Sequence, residues 1–357
     1  MKSFIGMLEN MDLFAKITGI KYKPFLCAKL KTYAFKDLQK ALSKSAVFIL
    51  DVNKENKVAV SWWVSAKRTR SYPYARVYDT LNFSGKKITI IPVVKDEGRE
   101  GDRDFLQWDT ISLMSLLGVY VIIGYYTNAE RSTRYRHKIT NQRFDTKYIK
   151  QKINEILSYQ SDALHWNLAQ IDKIGDYGQR ALESYEKISK KTKVEMHSRT
   201  TAERRIKKLQ GDKNEFMNLS RQLAEVAQRR ESVTIQPKEY LAGVKGVVTI
   251  QNYLGGFYYF TSDEIEVKGN DVYLIEGKHS RGTLPSIGDI KDGLIKMILF
   301  TNLEDAKIGN KNYNAKPVLK LTIENHFNPA QLRVTQRKDL ELLEKEAKIN
   351  GFEVKIS

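Results

Sequence analysis

The sequence predicts an α/β (α+β) protein built from three consecutive segments. Three observations carry that expectation. Short apolar runs rich in Val, Ile and Tyr, which suit strands, crowd residues 45–126 and return over 233–357. Between them, residues 130–232 hold no proline and set Leu157, Leu164, Leu168, Ile171 and Ile174 at spacings built from three and four, a helical period. A chain of 357 residues, 41% of them hydrophobic, can also fill more than one core. The expected segments are an N-terminal α/β domain over 1–130, a basic helical middle over 131–232 and a second α/β domain over 233–357.

In the first segment, Ala46–Leu50 and Val58–Val64 read as a hairpin across residues 52–57. Tyr74–Phe83 and Lys87–Val94 read as a second hairpin across Ser84-Gly85. A helix is expected over 104–117, then a buried strand, Val119–Tyr126. The middle segment predicts helices over 145–159, 161–190, 200–210 and 214–230. In the last segment Val247–Tyr253 predicts a strand, and Phe257–Val267 and Asp271–Gly277 a hairpin across Lys268-Gly269-Asn270. A helix follows over Ile287–Leu303, with Ser286 as cap and Asp289 three residues on. Strand Val318–Ile323, a helix over 336–349 stopped by Gly351, and strand Phe352–Ile356 complete the order.

Charge narrows the partner. Lys and Arg number 60 against 42 Asp and Glu, a net +18 and a pI near 9.6, so the surface attracts polyanions, of which nucleic acid is the commonest. The cations cluster as Arg131, Arg134, Arg136, Lys138 and Arg143, and again as Arg204, Arg205 and Lys207. A third group, Lys67, Arg68 and Arg70, is interleaved with aromatics between Trp62 and Tyr74, a pattern suited to gripping a backbone or stacking on a base. Each cluster is equally readable as a solvated face. The single cysteine, Cys27, excludes an internal disulfide and a cysteine-based zinc site. With an N-terminal apolar stretch broken by Glu9, Asn10 and Asp12, and with Ile111–Tyr126 too short to span a bilayer, a cytoplasmic, non-membrane protein is expected. No G-x-x-x-x-G-K-[ST] loop implies ATP.

The chemistry concentrates in Asp263 and, after the expected hairpin, Glu276-Gly277-Lys278. Glu276 and Lys278 lie two apart on a strand and so share a face. The apolar run Val272–Ile275 buries the strand just before them, and the Gly269-Asn270 turn folds Asp263 alongside. Two carboxylates from neighbouring strands form an oxygen-rich site suited to Mg²⁺, with the Gly277 carbonyl as a further ligand. Phosphodiester hydrolysis needs an activated water and stabilised charge on phosphorus, which a metal and a lysine can supply. Other Glu-x-Lys pairs, at Glu266, Glu346 and Glu353, lack this combination of apolar run, upstream Asp and downstream helix and strand.

On these residues the C-terminal 110 or so positions resemble the PD-(D/E)XK nuclease superfamily, with Ser262 standing where the motif name has proline. The resemblance implies a restriction-endonuclease-like mixed sheet flanked by helices. It implies Asp263 and Glu276 as Mg²⁺ ligands, Lys278 as the residue assisting the nucleophile, and Glu225 on the preceding helix as an accessory acid. The members it looks most like are type II restriction endonucleases, which implies a homodimer acting on double-stranded DNA and, functionally, a cognate DNA methyltransferase. A repair or recombination nuclease of the same superfamily and a non-catalytic DNA-binding protein are the alternatives. Asp79, a hairpin and Lys95 echo the same layout, with Val93 in the place of the acid; a degenerate second copy and a chance likeness of two α/β hairpins both fit.

Overall fold

The computed structural model describes residues 11–53, 55–67, 72–209, 244–324 and 327–357. The chain divides into two compact units rather than three consecutive segments: Met1–Cys27 with Ser220–Ser357, and Ala28–Leu219. Strand pairing explains the difference. Strand β1 (Met11–Ile17) lies parallel to β11 (Val244–Asn252), so the N-terminus belongs to the C-terminal sheet. Among the described residues, most helices of the middle segment pack on strands of the unit Ala28–Leu219 and share its core.

The unit Ala28–Leu219 holds a five-stranded sheet ordered β2 (Thr32–Ala34), β3 (Val47–Asp51), β4 (Lys57–Trp62), β5 (Lys87–Pro92) and β8 (Val119–Gly124). β3 and β4 form the expected hairpin. The second expected hairpin does not form: Tyr72–Tyr78 is a helix, α2, and β5 runs parallel to both β4 and β8. Pro73 at a first helical turn and the period of Pro73, Tyr74, Val77 and Tyr78, all buried, favour that helix over a strand. Helix α3 (Trp108–Leu116) starts later than predicted, because Arg103–Phe105 is a short strand, β7, paired with β6 (Val94–Asp96). The middle segment opens with a hairpin, β9 (Tyr126–Arg131) and β10 (Ile139–Phe144), not a helix. Helices α4 (Thr146–Ser158), α5 (Ala163–Ile171), α6 (Ile174–Thr192) and α7 (Arg199–Leu209) follow. The predicted helix 161–190 is broken at Asp172-Lys173, and the predicted helix 214–230 lies outside the described residues.

β8 is an edge of this sheet, yet all six of its residues are buried. Its outward polar groups are met by α5 instead of by another strand. The Asn167 amide accepts from the Val121 N–H at 2.7 Å and donates to the Val119 carbonyl at 3.0 Å, and the Trp166 indole donates to the Val121 carbonyl at 2.8 Å. Asn167→Leu strips partners from two buried backbone groups, each worth about 1–3 kcal/mol when left unsatisfied. Urea denaturation is expected to show roughly 3 kcal/mol lost; a loss under about 0.5 kcal/mol, the level of an ordinary surface change, would contradict this role for the side chain.

The other unit carries an eight-stranded mixed sheet. Its order is β15 (Lys311–Asn312), β14 (Glu304–Ile308), β1, β11, β12 (Phe257–Lys268), β13 (Asp271–Ser280), β16 (Asn314–Ile323) and β17 (Glu353–Ile356). β11, β12 and β13 alternate in direction, then β16 and β17 run parallel to β13. Gly269, at φ +63, makes the β12–β13 turn. Helix α8 (Ile287–Phe300) crosses from β13 toward β16, with the Ser286 hydroxyl accepting from the Asp289 N–H as expected. Helix α9 (Val334–Asn350) ends at Gly351, φ +76, the left-handed stop that glycine favours. The short strands β1, β14 and β15 on the far edge were not predicted. β14 and β15, of five and two residues, give little periodicity to read, while β1 alternates with Leu13, Ala15 and Ile17 buried and could have been read as a strand.

Candidate active site

The β12–β13 hairpin places the candidate acids. Its register pairs Glu264 with Ile275 and Ile265 with Leu274. Glu264 therefore faces away from Glu276, and it lies 3.8 Å from Lys320 on the other side of the sheet. Just before this pairing β12 bulges: its partners on β11 step from Val244↔Ile265 to Gly246↔Ser262, leaving one extra residue on β12 at 263–264. A bulge re-aims side chains and ends regular pairing. Here it frees the Asp263 carboxylate to accept from the Gly277 N–H at 2.9 Å, while the Ser262 hydroxyl bridges to the Ile275 carbonyl at 3.0 Å.

Glu276 is 1% exposed and both its oxygens are engaged. Lys278 donates to Oε1 at 2.8 Å and Lys296 to Oε2 at 2.5 Å. Lys278 also donates to Asp292, itself 1% exposed, at 2.7 Å. Asp292 and Lys296 are four residues apart on α8 and so share the face turned to β13. Gly293 between them allows the close approach: a Cβ there would stand 2.6 Å from Leu319 Cδ1 and 3.2 Å from Lys278 Cε. Leu319 is fully buried and has little room to yield. Gly293→Ala is expected to lose about 1–3 kcal/mol of stability by overpacking and to displace the Lys278 stem; an unchanged urea midpoint would show that the helix stands farther from the strand.

The electrostatics follow from burial. Burial pushes the Asp263 carboxyl up to about 6, and the Glu276 charge adds to it. Burial alone would raise Glu276 too, but Lys278 and Lys296 outweigh it and hold that group down to about 2. For Lys278 burial favours the neutral form, while Glu276, Asp292 and Asp263 overcome it and raise its pKa. With every group ionised, Asp263, Glu276 and Asp292 against Lys278 and Lys296 leave one net negative charge. The donor set toward a cation is all oxygen, Asp263 with Glu276, which suits a hard ion such as Mg²⁺. Because both Glu276 oxygens hold ammonium groups, an ion would take the place of one of them. Among the described residues no group of three or more His, Cys, Asp or Glu is arranged to hold a metal.

The structure thus brings Asp263, Glu276, Gly277 and Lys278 together, and adds Asp292 and Lys296, which sequence reasoning missed. Their signal was present: Asp292 and Lys296 lie one turn apart in a helix that from Ile290 to Phe300 is apolar but for these two and Lys291. Glu225, Arg68 and Arg70 lie outside the described residues. Arg131, Arg134, Arg136 and Lys138 gather on the β9–β10 hairpin tip, not on a helix. There Arg131 donates to the Arg136 carbonyl, and the Arg134 and Lys138 cations sit 5.2 and 5.6 Å from the ring centre of exposed Tyr135. Arg143, on β10, pairs with Glu130 at 2.6 Å. Arg204, Arg205 and Lys207 lie on α7. Lys67 is bound to buried Asp104 at 2.6 Å and so is partly neutralised as a DNA contact.

Nor does the proposed echo of Asp263 and Lys278 in Asp79 and Lys95 survive. Asp79 follows helix α2, and Lys95 lies on β6, outside the five-stranded sheet, bound to Glu97 at 2.5 Å.

No family model matches the chain, and no curated protein matches it. A solved structure described as the "Adenylation, ketoreductase, and pseudo Asub multidomain structure of a keto acid-selecting NRPS module" aligns over 99% of this chain at 11% identity and a TM-score of 0.14. The chain spans 26% of that structure's length. A likeness so low carries no argument about fold or function.

Proposed function

We propose that the chain is a Mg²⁺-dependent endodeoxyribonuclease of the PD-(D/E)XK kind, in the manner of a type II restriction enzyme acting as a homodimer. One observation carries the reading: Asp263, Glu276 and Lys278 meet on neighbouring strands at a bulge, under a helix that adds a third acid and a second lysine. Three alternating strands followed by two parallel ones, with a helix before each, is also the sheet such a nuclease core needs. Asp263 and Glu276 would hold Mg²⁺, joined by the Gly277 carbonyl. Bound there, the ion would supply Lewis acidity and a more acidic coordinated water. Lys278, kept cationic by three acids, would hold the attacking water or offset charge on the phosphate. Asp292 positions the Lys278 ammonium, and Lys296 balances Glu276 before the ion arrives. The basic hairpin tip and α7 would supply phosphate contacts.

A non-catalytic reading draws on one specific observation, that both oxygens of Glu276 already hold lysines, as they would in a structural ion-pair network. Incubating the chain with mixed DNA and Mg²⁺ and sequencing the fragment ends separates the readings. Discrete ends are expected. A smear points to a nonspecific nuclease of the same superfamily, and intact DNA at every metal concentration rejects the enzyme.

A further inference from the structure

The unit Ala28–Leu219 repeats the chain path of the candidate nuclease unit. In one, the β12–β13 hairpin, α8, parallel β16, α9 and parallel β17 follow in order. In the other, the β3–β4 hairpin, α2, parallel β5, α3 and parallel β8 do the same. The pattern departs in three places: β2 lies parallel to β3 where β11 is antiparallel to β12, β14 and β15 intervene between α8 and β16, and β6 and β7 intervene between β5 and α3. Counting from the last hairpin pair locates the equivalent positions. Glu276 and Lys278 stand five and seven residues past Asp271; five and seven past Lys57 stand Trp62 and Val64. Asp263 stands five before Lys268; five before Asp51 stands Ala46. No acid or lysine occupies the matching places.

What occupies them is a cavity of about 930 Å³, lined by Trp62 and Val64 themselves. Its apolar wall is aromatic: Phe144 lies edge-on to Trp62 at 6.2 Å and stacks on Tyr126 at 4.4 Å. Arg76 of α2 fixes Trp62, its guanidinium 5.0 Å from the ring centre and donating to the Trp62 carbonyl at 2.6 Å. Opposite, the rim carries the exposed lysines Lys36 and Lys40. The bulged strand β10 turns Asn141, at φ +51, toward the cavity. A bulge and a left-handed non-glycine residue beside a cavity are features of binding sites rather than of plain scaffolding. Lys95, Arg143, Asp37 and Glu97 complete the charged lining, Lys95 bound to Glu97 and Arg143 to Glu130, so cations outnumber acids four to two around the cavity. An aromatic wall and that excess of positive charge are complementary to one nucleotide: a flat ring to stack and a phosphate to neutralise.

We infer that this cavity binds a nucleotide of single-stranded or locally unstacked DNA, its base against Trp62 and its phosphate toward Lys36 and Lys40, in a unit that holds nucleic acid without cutting it. The inference rests on DNA as the partner of the proposed nuclease, but not on cleavage, so it is tested in chelator with the full chain. The probe is a ten-nucleotide single strand carrying 2-aminopurine. Wild-type chain is expected to bind it and quench its emission by stacking. Lys36→Glu with Lys40→Glu, both exposed and remote from the core, is expected to weaken binding roughly tenfold or more and to flatten its salt dependence. Trp62→Leu is expected to restore the emission of bound probe. Free 2-aminopurine deoxynucleotide, run in parallel, shows whether a lone nucleotide suffices or a strand is needed; either outcome with the variant effects supports the assignment. Equal affinity in the double lysine variant, or equal emission in Trp62→Leu, overturns it. Those results with DNA cleavage intact reject the cavity alone, whereas strand binding without any cleavage rejects only the nuclease.

Discussion

Lys278→Met is expected to abolish DNA cleavage while leaving DNA binding in chelator close to that of the parent chain. The ammonium sits between Glu276 and Asp292, at 2.8 and 2.7 Å, and nothing else in the site can take both contacts at once. If it steadies the nucleophile or the phosphate, its removal should slow cleavage by about 10²–10⁴-fold. The same change leaves buried acids short of a countercharge, and breaking a buried pair costs about 3–5 kcal/mol. Part of that is relieved because Lys296 still holds Glu276. The rate must therefore be read on chain shown to be folded, at a temperature well below its midpoint. Lys278→Arg is the second arm. It keeps the charge, but the broader guanidinium must fit where Gly293 already approaches the lysine stem, so cleavage is expected to fall with less loss of stability. Cleavage by folded Lys278→Met at the parent rate would remove Lys278 from the chemistry.

Much of this site was legible because strands and hairpins have short memory. Glu276, Gly277 and Lys278 follow an apolar run, and a two-residue turn fixes which residue of β12 lies opposite. The bulge at 263–264 was not legible. It interrupts the ladder between β12 and β11, which continues on both sides of it, and that register depends on a strand partner rather than on the local pattern of β12. The helix contribution of Asp292 and Lys296 was readable only as charge on an apolar face, without saying what it meets. In the other unit the error was one of period. Tyr74–Phe83 holds enough aromatic and β-branched residues to read as a strand, but Pro73 and the packing of α2 on β4 select a helix. That misreading aligned Asp79 with Asp263 and hid the correspondence that the hairpin β3–β4 carries. The parallel pairing of β1 with β11 joins residues more than two hundred positions apart, which no local pattern encodes.

Asp263→Asn is expected to destroy cleavage and, in chelator, to stabilise the fold at pH 8. A structural carboxylate does the reverse, so the pair of results is diagnostic. The sign follows from the raised pKa. A group whose folded pKa lies above its unfolded value binds its proton more tightly when folded; its stabilising share is complete at low pH and disappears as pH rises through the folded value. For Asp263 the window runs from the ordinary value of 3.8 up to about 6. Above it the ionised group, half-buried and beside Glu276, works against folding by at most about 3 kcal/mol, since each unit is about 1.4 kcal/mol. Glu276 behaves oppositely: held near 2 by its lysines, it stabilises above its ordinary 4.5 and loses that share as pH falls toward 2. Metal-free chain should therefore be most stable near pH 4, where the two windows overlap, losing stability in both directions. Asn at 263 keeps an acceptor for the Gly277 N–H but carries no charge, so the fall between pH 4 and 8 should flatten and the urea midpoint at pH 8 should rise. Activity would be gone, because a neutral amide is a poor ligand for a hard dication and leaves Glu276 as the lone acid toward it. Strain of this kind, stability given up to keep two acids close without their cation, is what a site built for a metal would carry. A variant that is less stable than its parent at pH 8 would show instead that Asp263 is held by contacts that favour its charge, and the case for a metal between it and Glu276 would fail.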